Sequence, residues 1–331
     1  MMYKYSESVR NQFKNYHQKG SQLLTVFLDA SGNTVISGYD ADKFKKEHEI
    51  NLGCKTFNIF FYPDEYILAY FPLQRLVKVR LETGESSTTE GLKFAPEILV
   101  NNNLLGISVD GSSNKKLARL DLETNELSSL FEEPFRLWGS NGHDVYGVKI
   151  GRGQELYSIN PLTGSINWQN DFGADLFGKV ISYEEMILVV GKSNFFGINA
   201  KNGTNLWERS STNHLLQLYK DKIINVDASY YREISPDTGE TLVEYEMKPE
   251  YEKHGFRFMG TNRNFTITDT HIFIVDAMGF KMGCINCSTG KIDWSVEVGE
   301  GKVTLPHAPI VYRNKLYVLD NEGTLHVYDR E

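Results

Sequence analysis

The chain has 331 residues, 40% of them hydrophobic, and a formal net charge of −8. That is ample chain for a buried core, and the acidic balance argues against a nucleic-acid-binding surface while favouring a basic partner. No run approaches the roughly 18 apolar residues of a membrane span, and the three cysteines, Cys54, Cys284 and Cys287, form no obvious disulfide framework.

The N-terminus, MMYKYSESVRNQF, shows neither an apolar signal core nor a small-residue cleavage site. The chain therefore reads as soluble and cytoplasmic, or periplasmic if a signal peptide was removed. Residues 1–22 read as an N-terminal extension. Val9, Phe13 and Tyr16 stand at helical spacing before Gly20, which predicts a short helix over 6–19. Residues 23–331 read as one domain. Residues 23–28 and 34–39 alternate like strands around Ala30-Ser31-Gly32-Asn33, and residues 40–49, DADKFKKEHE, read as a charged excursion without strand character.

From about Lys55 a strand-and-turn unit recurs. Its turn residue falls at Gly84, Asn125, Gly164, Gly203, Gly239 and Gly290, at intervals of 41, 39, 39, 36 and 51 residues. That is the period of a propeller blade. Strand B of the unit is strongly apolar, as in residues 186–190, 222–226 and 272–275. Strand C ends in a polar residue four before the turn: Asp121, Asn160, Asn199, Ser235 and Asn286. Such side chains bond back onto turn backbone, and glycine supplies the positive φ that a bulkier residue resists. Strand D carries a bulky residue four after the glycine, at Trp168, Trp207, Val243 and Trp294. One such sheet cannot cover both its faces, whereas radial packing against neighbours buries both. Gly164, Trp168, Gly203, Trp207, Gly239, Gly290 and Trp294 are accordingly assigned to structure.

Residues 308–312, 315–319 and 324–329 supply strands A, B and C of a last unit, and the chain stops before its turn. Strand D is expected from the N-terminal segment 23–39. The fold class expected is an all-β, seven-bladed β-propeller of four-stranded antiparallel blades closed by N- and C-terminal strands. The count becomes eight if the pair around Gly32 builds a blade of its own.

The signature Tyr157, Asn160, Thr163, Gly164 and Trp168 recurs as Phe196, Asn199, Gly203 and Trp207, and as Ile285, Asn286, Thr289, Gly290 and Trp294. It resembles the pyrroloquinoline-quinone (PQQ)-like, quinoprotein-type β-propeller repeat family. The resemblance implies the propeller fold. Quinoprotein dehydrogenases of that family use adjacent cysteines beside the quinone, and this chain has no adjacent pair. The resemblance thus points to the non-enzymatic branch, which includes an outer-membrane assembly lipoprotein and scaffold propellers. No catalytic residue, metal ligand set or cofactor is expected.

Cys284-Ile285-Asn286-Cys287 has redox spacing, but it lies on a predicted strand C, where a buried structural role is expected. Asp110, Asp227, Asp276 and Asp320 each open a B–C turn. Aspartate is a good turn former, and the functional version is a partial ring of carboxylates for a cation or a basic partner. The eight histidines are scattered, and no nucleophile elbow or phosphate loop is present.

Antiparallel connectivity puts the D–A and B–C connections on one face. Two D–A connections exceed the period, at 39–55 and 247–264. The second holds Tyr251, His254, Phe256, Arg257, Phe258, Met259 and Arg263, and Trp138 begins another D–A region. Aromatic, Met and Arg side chains are favoured interface anchors. Trp138, Tyr251, His254, Phe256, Arg257, Phe258 and Arg263 are the candidate binding residues. The competing role for Phe256 and Phe258 is to plug the central opening. The function expected is a non-enzymatic protein-binding propeller, scaffold or inhibitor of the immunity type. Its partner is another protein of basic character, not nucleic acid or membrane. The alternative is a hydrolase, a lyase or a small-ligand sensor with its site in the central funnel.

Overall fold

Each repeat becomes a four-stranded antiparallel sheet in the computed structural model of the chain. The structure describes residues 2–331 except 11–12, 54, 57, 63–65, 72–74, 81–82, 84, 110–113, 152–154, 174–175, 211–215, 258–264, 277–279 and 300–306. Among the described residues there are eight such sheets. In chain order they cover residues 13–51 (sheet I), 58–89 (II), 94–131 (III), 135–171 (IV), 176–210 (V), 216–246 (VI) and 265–297 (VII). Sheet VIII joins Ile310–Tyr312, Lys315–Leu319 and Thr324–Arg330 to the N-terminal strand Tyr3–Arg10. The fold is an all-β propeller.

Burial follows strand position. Met186–Gly191 and His271–Asp276, both strand B, are buried at every residue. A strand covered on both sheet faces needs that continuous apolar run. Strand D, as in Asn205–Ser210, alternates exposed and half-buried residues. The core is divided into clusters between successive sheets. Tyr146, Trp168, Ile187 and Phe196 join sheets IV and V, whereas Phe273, Cys284, Leu316 and Tyr328 join VII and VIII. The chain falls into two compact units. One comprises Met1–Lys55, Asn225–Arg232 and Val243–Glu331, the other Thr56–Ile224 and Glu233–Leu242.

The turn signature links one sheet to the next. Asn160 Oδ1 accepts from the backbone N–H of Leu162 and Thr163, and Asn160 O accepts from Gly164 N at 2.9 Å. Gly203 sits at φ +73, and a Cβ there would lie 2.5 Å from the Trp168 ring of the preceding sheet. Trp168 Nε1 donates to Ala200 O at 2.8 Å in the same turn. Trp207 repeats the arrangement over Gly239 and donates to Pro236 O at 2.8 Å. In sheet VI the expected bulky residue, Val243, does not fill this place. Tyr245, two residues on and on the same strand face, covers Gly290 and donates to Ser288 O at 2.8 Å.

Three N-terminal expectations are corrected. The helix over 6–19 is absent: Tyr3–Arg10 and Phe13–Lys19 are strands. Tyr16 spends its apolar ring between sheets I and VIII, as strand pairing requires, so the helical spacing was coincidental. The closing strand D is Tyr3–Arg10, paired antiparallel with Thr324–Arg330, rather than a segment within 23–39. Gln22–Leu28 and Thr34–Asp40 instead form the middle of the separate sheet I, so the eight-sheet count holds in place of seven. Residues 40–49 conceal its turn and strand D. Asp40 Oδ1 accepts from Asp42 and Lys43 N–H, as Asn160 does, and Phe44 takes the left-handed conformation at φ 51. His48, four residues later, lies over Gly38 where the tryptophans lie over their own strand C.

Replacing Gly203 with Ala is expected to destabilise the protein by about 2–3 kcal/mol, because it adds both a strained φ and a clash with Trp168. Trp168→Ala should relieve part of that cost, so the double variant should be less destabilised than the sum of the singles. Chemical denaturation of the four proteins measures the coupling.

Candidate binding face

Residues 247–257 form the most elaborated connection among the described residues, between strands D of sheet VI and A of sheet VII. A single short helix, α1 (Lys248–His254), occupies it. Pro249 and Glu250 suit its first turn, Lys253 and His254 its last, and Gly255 ends it at φ 68 in the left-handed conformation. One face is buried: Met247, Tyr251 and Phe256 are each under 8% exposed.

Polar contacts fix this segment to its own unit. Glu250 Oε2 accepts from Ile292 N at 3.0 Å, and Lys281 Nζ donates to His254 O at 2.7 Å. Arg257 N donates to Asp276 Oδ2 at 2.6 Å. Tyr251 OH donates to Asp227 O at 3.2 Å, and burial pushes its phenol well above the usual tyrosine range. His254 Nδ1 lies 3.2 Å from Ser295 Oγ, and burial, then the Lys253 charge, draws its imidazole below the ordinary value.

The candidate residues thus have different places. Tyr251 and Phe256 are packed, with ring centroids 6.0 Å apart, and Phe256 lies against Gly283 of strand C in sheet VII. That seat occupies the Phe256 ring. Arg257 is exposed and His254 half-buried. Phe258, Met259 and Arg263 lie outside the described residues, as do Gly84, Cys54 and Asp110. Trp138 belongs to the other unit, on strand Phe135–Ser140, where its ring is packed beside Gly178 and Val180. There it helps line a cavity of about 410 Å³ with Arg136 and Leu176.

Two aspartates of the B–C turns, Asp227 and Asp320, are occupied by turn backbone, whereas Asp276 accepts from Arg257 N. Asp227 Oδ1 accepts from Ser229 and Tyr230 N at 2.7 Å, and its Oδ2 pairs with Arg232 at 3.1 Å. Asp320 Oδ1 accepts from Glu322 and Thr324 N at 2.9 Å, while Oδ2 bonds His326 Nε2 at 2.8 Å. Burial, the largest single influence on Asp320, works against ionisation. The His326 bond and the turn N–H groups outweigh it together and hold the carboxyl below its ordinary value. Sequence reasoning passed over His326, although an aspartate six residues earlier at a B–C turn was the available signal. Cys284 lies in the core between sheets VII and VIII, and burial pushes its thiol up to about 12. At that value it is no thiolate nucleophile at neutral pH. No cluster of three or more His, Cys, Asp or Glu suited to a metal occurs among the described residues, and no described helix is long and apolar enough to cross a membrane.

A family model described as "Outer membrane protein assembly factor BamB" matches residues 107–331, about two thirds of the chain. The chain belongs to this BamB family of PQQ-like propellers. BamB from Moraxella catarrhalis is similar over 100% of this chain and 98% of its own, with TM-score 0.66 and 16% identity. The computationally designed Ika8 protein aligns over 98% of both chains with TM-score 0.68 and 11% identity. Sqt1 of Saccharomyces cerevisiae aligns over 99% of both with TM-score 0.63 and 8% identity. At such identities these likenesses speak for the fold alone. No curated protein sequence matches the chain. Within the BamB family match lie sheets IV to VII and the C-terminal strands of sheet VIII, and sheet I, with its disguised turn, lies outside it.

Because the folded Asp320 carboxyl is held low, its contribution to stability is full above the unfolded carboxyl value and is lost as pH falls through the folded one. The gap in Tm between wild type and Asp320→Asn should therefore be constant at neutral pH and narrow below about pH 4. Thermal melts across pH 2.5–7 (roughly the carboxylate range) check this.

Proposed function

We propose that this BamB-family propeller is a non-enzymatic protein-binding module that holds its partner on the face of the D–A and B–C connections. The observation that carries the reading is the 247–257 segment. Its apolar side chains and backbone groups are tied down, leaving Lys248, Glu252, Lys253 and Arg257 outward. A connection held this firmly loses little freedom on binding, which lowers the entropic cost of an interface. In this reading Tyr251 and Phe256 position the segment, and His254 and Arg257 meet the partner. Phe258 and Arg263 remain candidates beside this segment, and Trp138 is a separate candidate on the other unit. The family's description as an assembly factor agrees with a role in binding other proteins. The chain's acidity favours a partner of basic character, in a scaffold or inhibitor arrangement.

The test is retention of partners by the immobilised full chain. Lys253→Ala with Arg257→Ala should lower retention by about tenfold, because truncation removes the contacts of both side chains whatever the partner's charge. Lys291→Glu, an exposed change on the C–D turn of the same unit, should leave it unaltered. Equal retention by both variants would remove the segment from the binding surface.

A further inference from the structure

Between sheets II and III a cavity of about 210 Å³ stands where the later sheets hold a ring. The strand register fixes the correspondence. Trp168 pairs across from Ser158, Trp207 from Gly197 and Trp294 from Cys284, and each of those partners lies six residues before its turn residue. Lys78 lies six before Gly84, and Ser87 pairs across from it. Ser87 therefore has the tryptophan place in sheet II. Sheet III has Ser128 there, but Leu130, two residues on, lies against Gly164 of sheet IV, as Tyr245 lies against Gly290. In sheet II the residue two on is Thr89, a short side chain whose Oγ1 donates to Asn125 Oδ1 at 3.3 Å.

Ser87, Thr89 and Asn125 line the cavity together with Leu76 and Leu122. The two leucines are buried, whereas strand Ser86–Thr89 is exposed along most of its length. Buried leucines and exposed polar side chains suit a ring that is apolar in body and polar at one edge. The volume exceeds the roughly 150 Å³ that admits a benzene ring. An acceptor is also in place. Trp168 Nε1 donates to Ala200 O and Trp207 Nε1 to Pro236 O, in each case the residue after the one that caps the turn. Leu122 follows Asp121 in the same way, and no described residue donates to Leu122 O. Asn125, at φ 59, carries the Cβ that Gly203 lacks, so a ring here meets its side chain instead of a bare Cα.

We propose that this cavity receives the indole of a tryptophan from a partner protein, laid against Leu76 and Leu122 beside Ser87, with its N–H donating to Leu122 O. The partner thereby supplies between sheets II and III the kind of contact that the chain makes for itself from sheet IV onward. Indole suits the place because it alone among side chains joins a large ring to a ring N–H that only donates. The inference rests on the reading of the chain as a partner-binding propeller, but not on the 247–257 segment, since the cavity belongs to the other unit and to a C–D turn.

The full chain is titrated with Nα-acetyl-tryptophan amide, its indole-N-methyl analogue and Nα-acetyl-leucine amide, followed by NMR of the leucine methyl groups. The tryptophan probe should give ring-current shifts at Leu76 and Leu122 and bind at least about tenfold more tightly than leucine. It should bind about fivefold more tightly than the methylated ring, the scale of one neutral hydrogen bond. Asn125→Gly clears the Cβ and eases the left-handed backbone, so it should tighten binding. Adding Ser87→Trp rebuilds the contact within the chain, so Tm should rise above that of Asn125→Gly alone while probe binding falls by about tenfold or more. Equal binding of tryptophan and leucine, no shift at Leu76 or Leu122, or undiminished binding by the double variant would overturn the proposal. Partner retention by the immobilised chain separates a partner's tryptophan from a free indole compound. The double variant should lower retention; if it loses the probe yet retains partners as wild type does, the partner's tryptophan is refuted and the 247–257 reading stands. Lys253→Ala with Arg257→Ala should bind the probe as wild type does, so failure of that surface and failure of this cavity are read separately.

Discussion

From sheet IV to sheet VII, sheet-to-sheet attachment depends on one repeated contact, an aromatic ring of strand D seated on the turn glycine of the following sheet. Trp168 on Gly203, Trp207 on Gly239 and Tyr245 on Gly290 share it, and each donates one hydrogen bond to a carbonyl of that same turn. The glycine is required twice over, by its positive φ and by the ring that occupies the place of its Cβ. Burial of such a ring contributes about 2–3 kcal/mol and its hydrogen bond about 1 kcal/mol. Repetition of the contact is therefore a large share of what holds neighbouring sheets, since a domain is stable by only about 5–15 kcal/mol in all.

The closing sheet solves a different problem. Strand D of sheet VIII comes from the opposite end of the chain, and Tyr3 packs its ring on Phe273 and Trp294. An exposed edge at Thr324–Arg330 would otherwise present unpaired backbone groups. The same pairing puts Tyr5 beside His326 and Tyr328. A cavity of about 480 Å³ beside sheet VIII is thus walled by Tyr5 together with Glu297, Asp320, His326 and Tyr328, a juxtaposition produced by closure and not by any local motif.

The segment 247–257 shows how a connection becomes a surface without becoming loose. Its aromatic residues have the composition of a partner contact, yet Tyr251 and Phe256 are turned inward. Interface-like composition and core-like composition are the same in an aromatic loop, and only packing tells them apart. What faces outward is the charged set around α1.

The repeat was legible because its requirements are local. A polar side chain must cap the turn, glycine must supply a positive φ, and strand B must be apolar on both faces. Asn160, Gly164 and Met186–Gly191 announce these needs in sequence. Sheet I was not legible, because Phe44 takes the left-handed conformation where glycine is usual and His48 stands where tryptophan is usual. Those substitutions are tolerated through tertiary packing: Phe44 stacks on Tyr39 with centroids 5.1 Å apart and lies 5.7 Å from Tyr317. The sequence by itself therefore determined the propeller class and its turn chemistry, since both follow from backbone geometry repeated every blade. Only the tertiary structure decided the number of sheets, the strand that closes them and the cavity beside Tyr5, since each depends on residues far apart in the chain meeting across strand pairs.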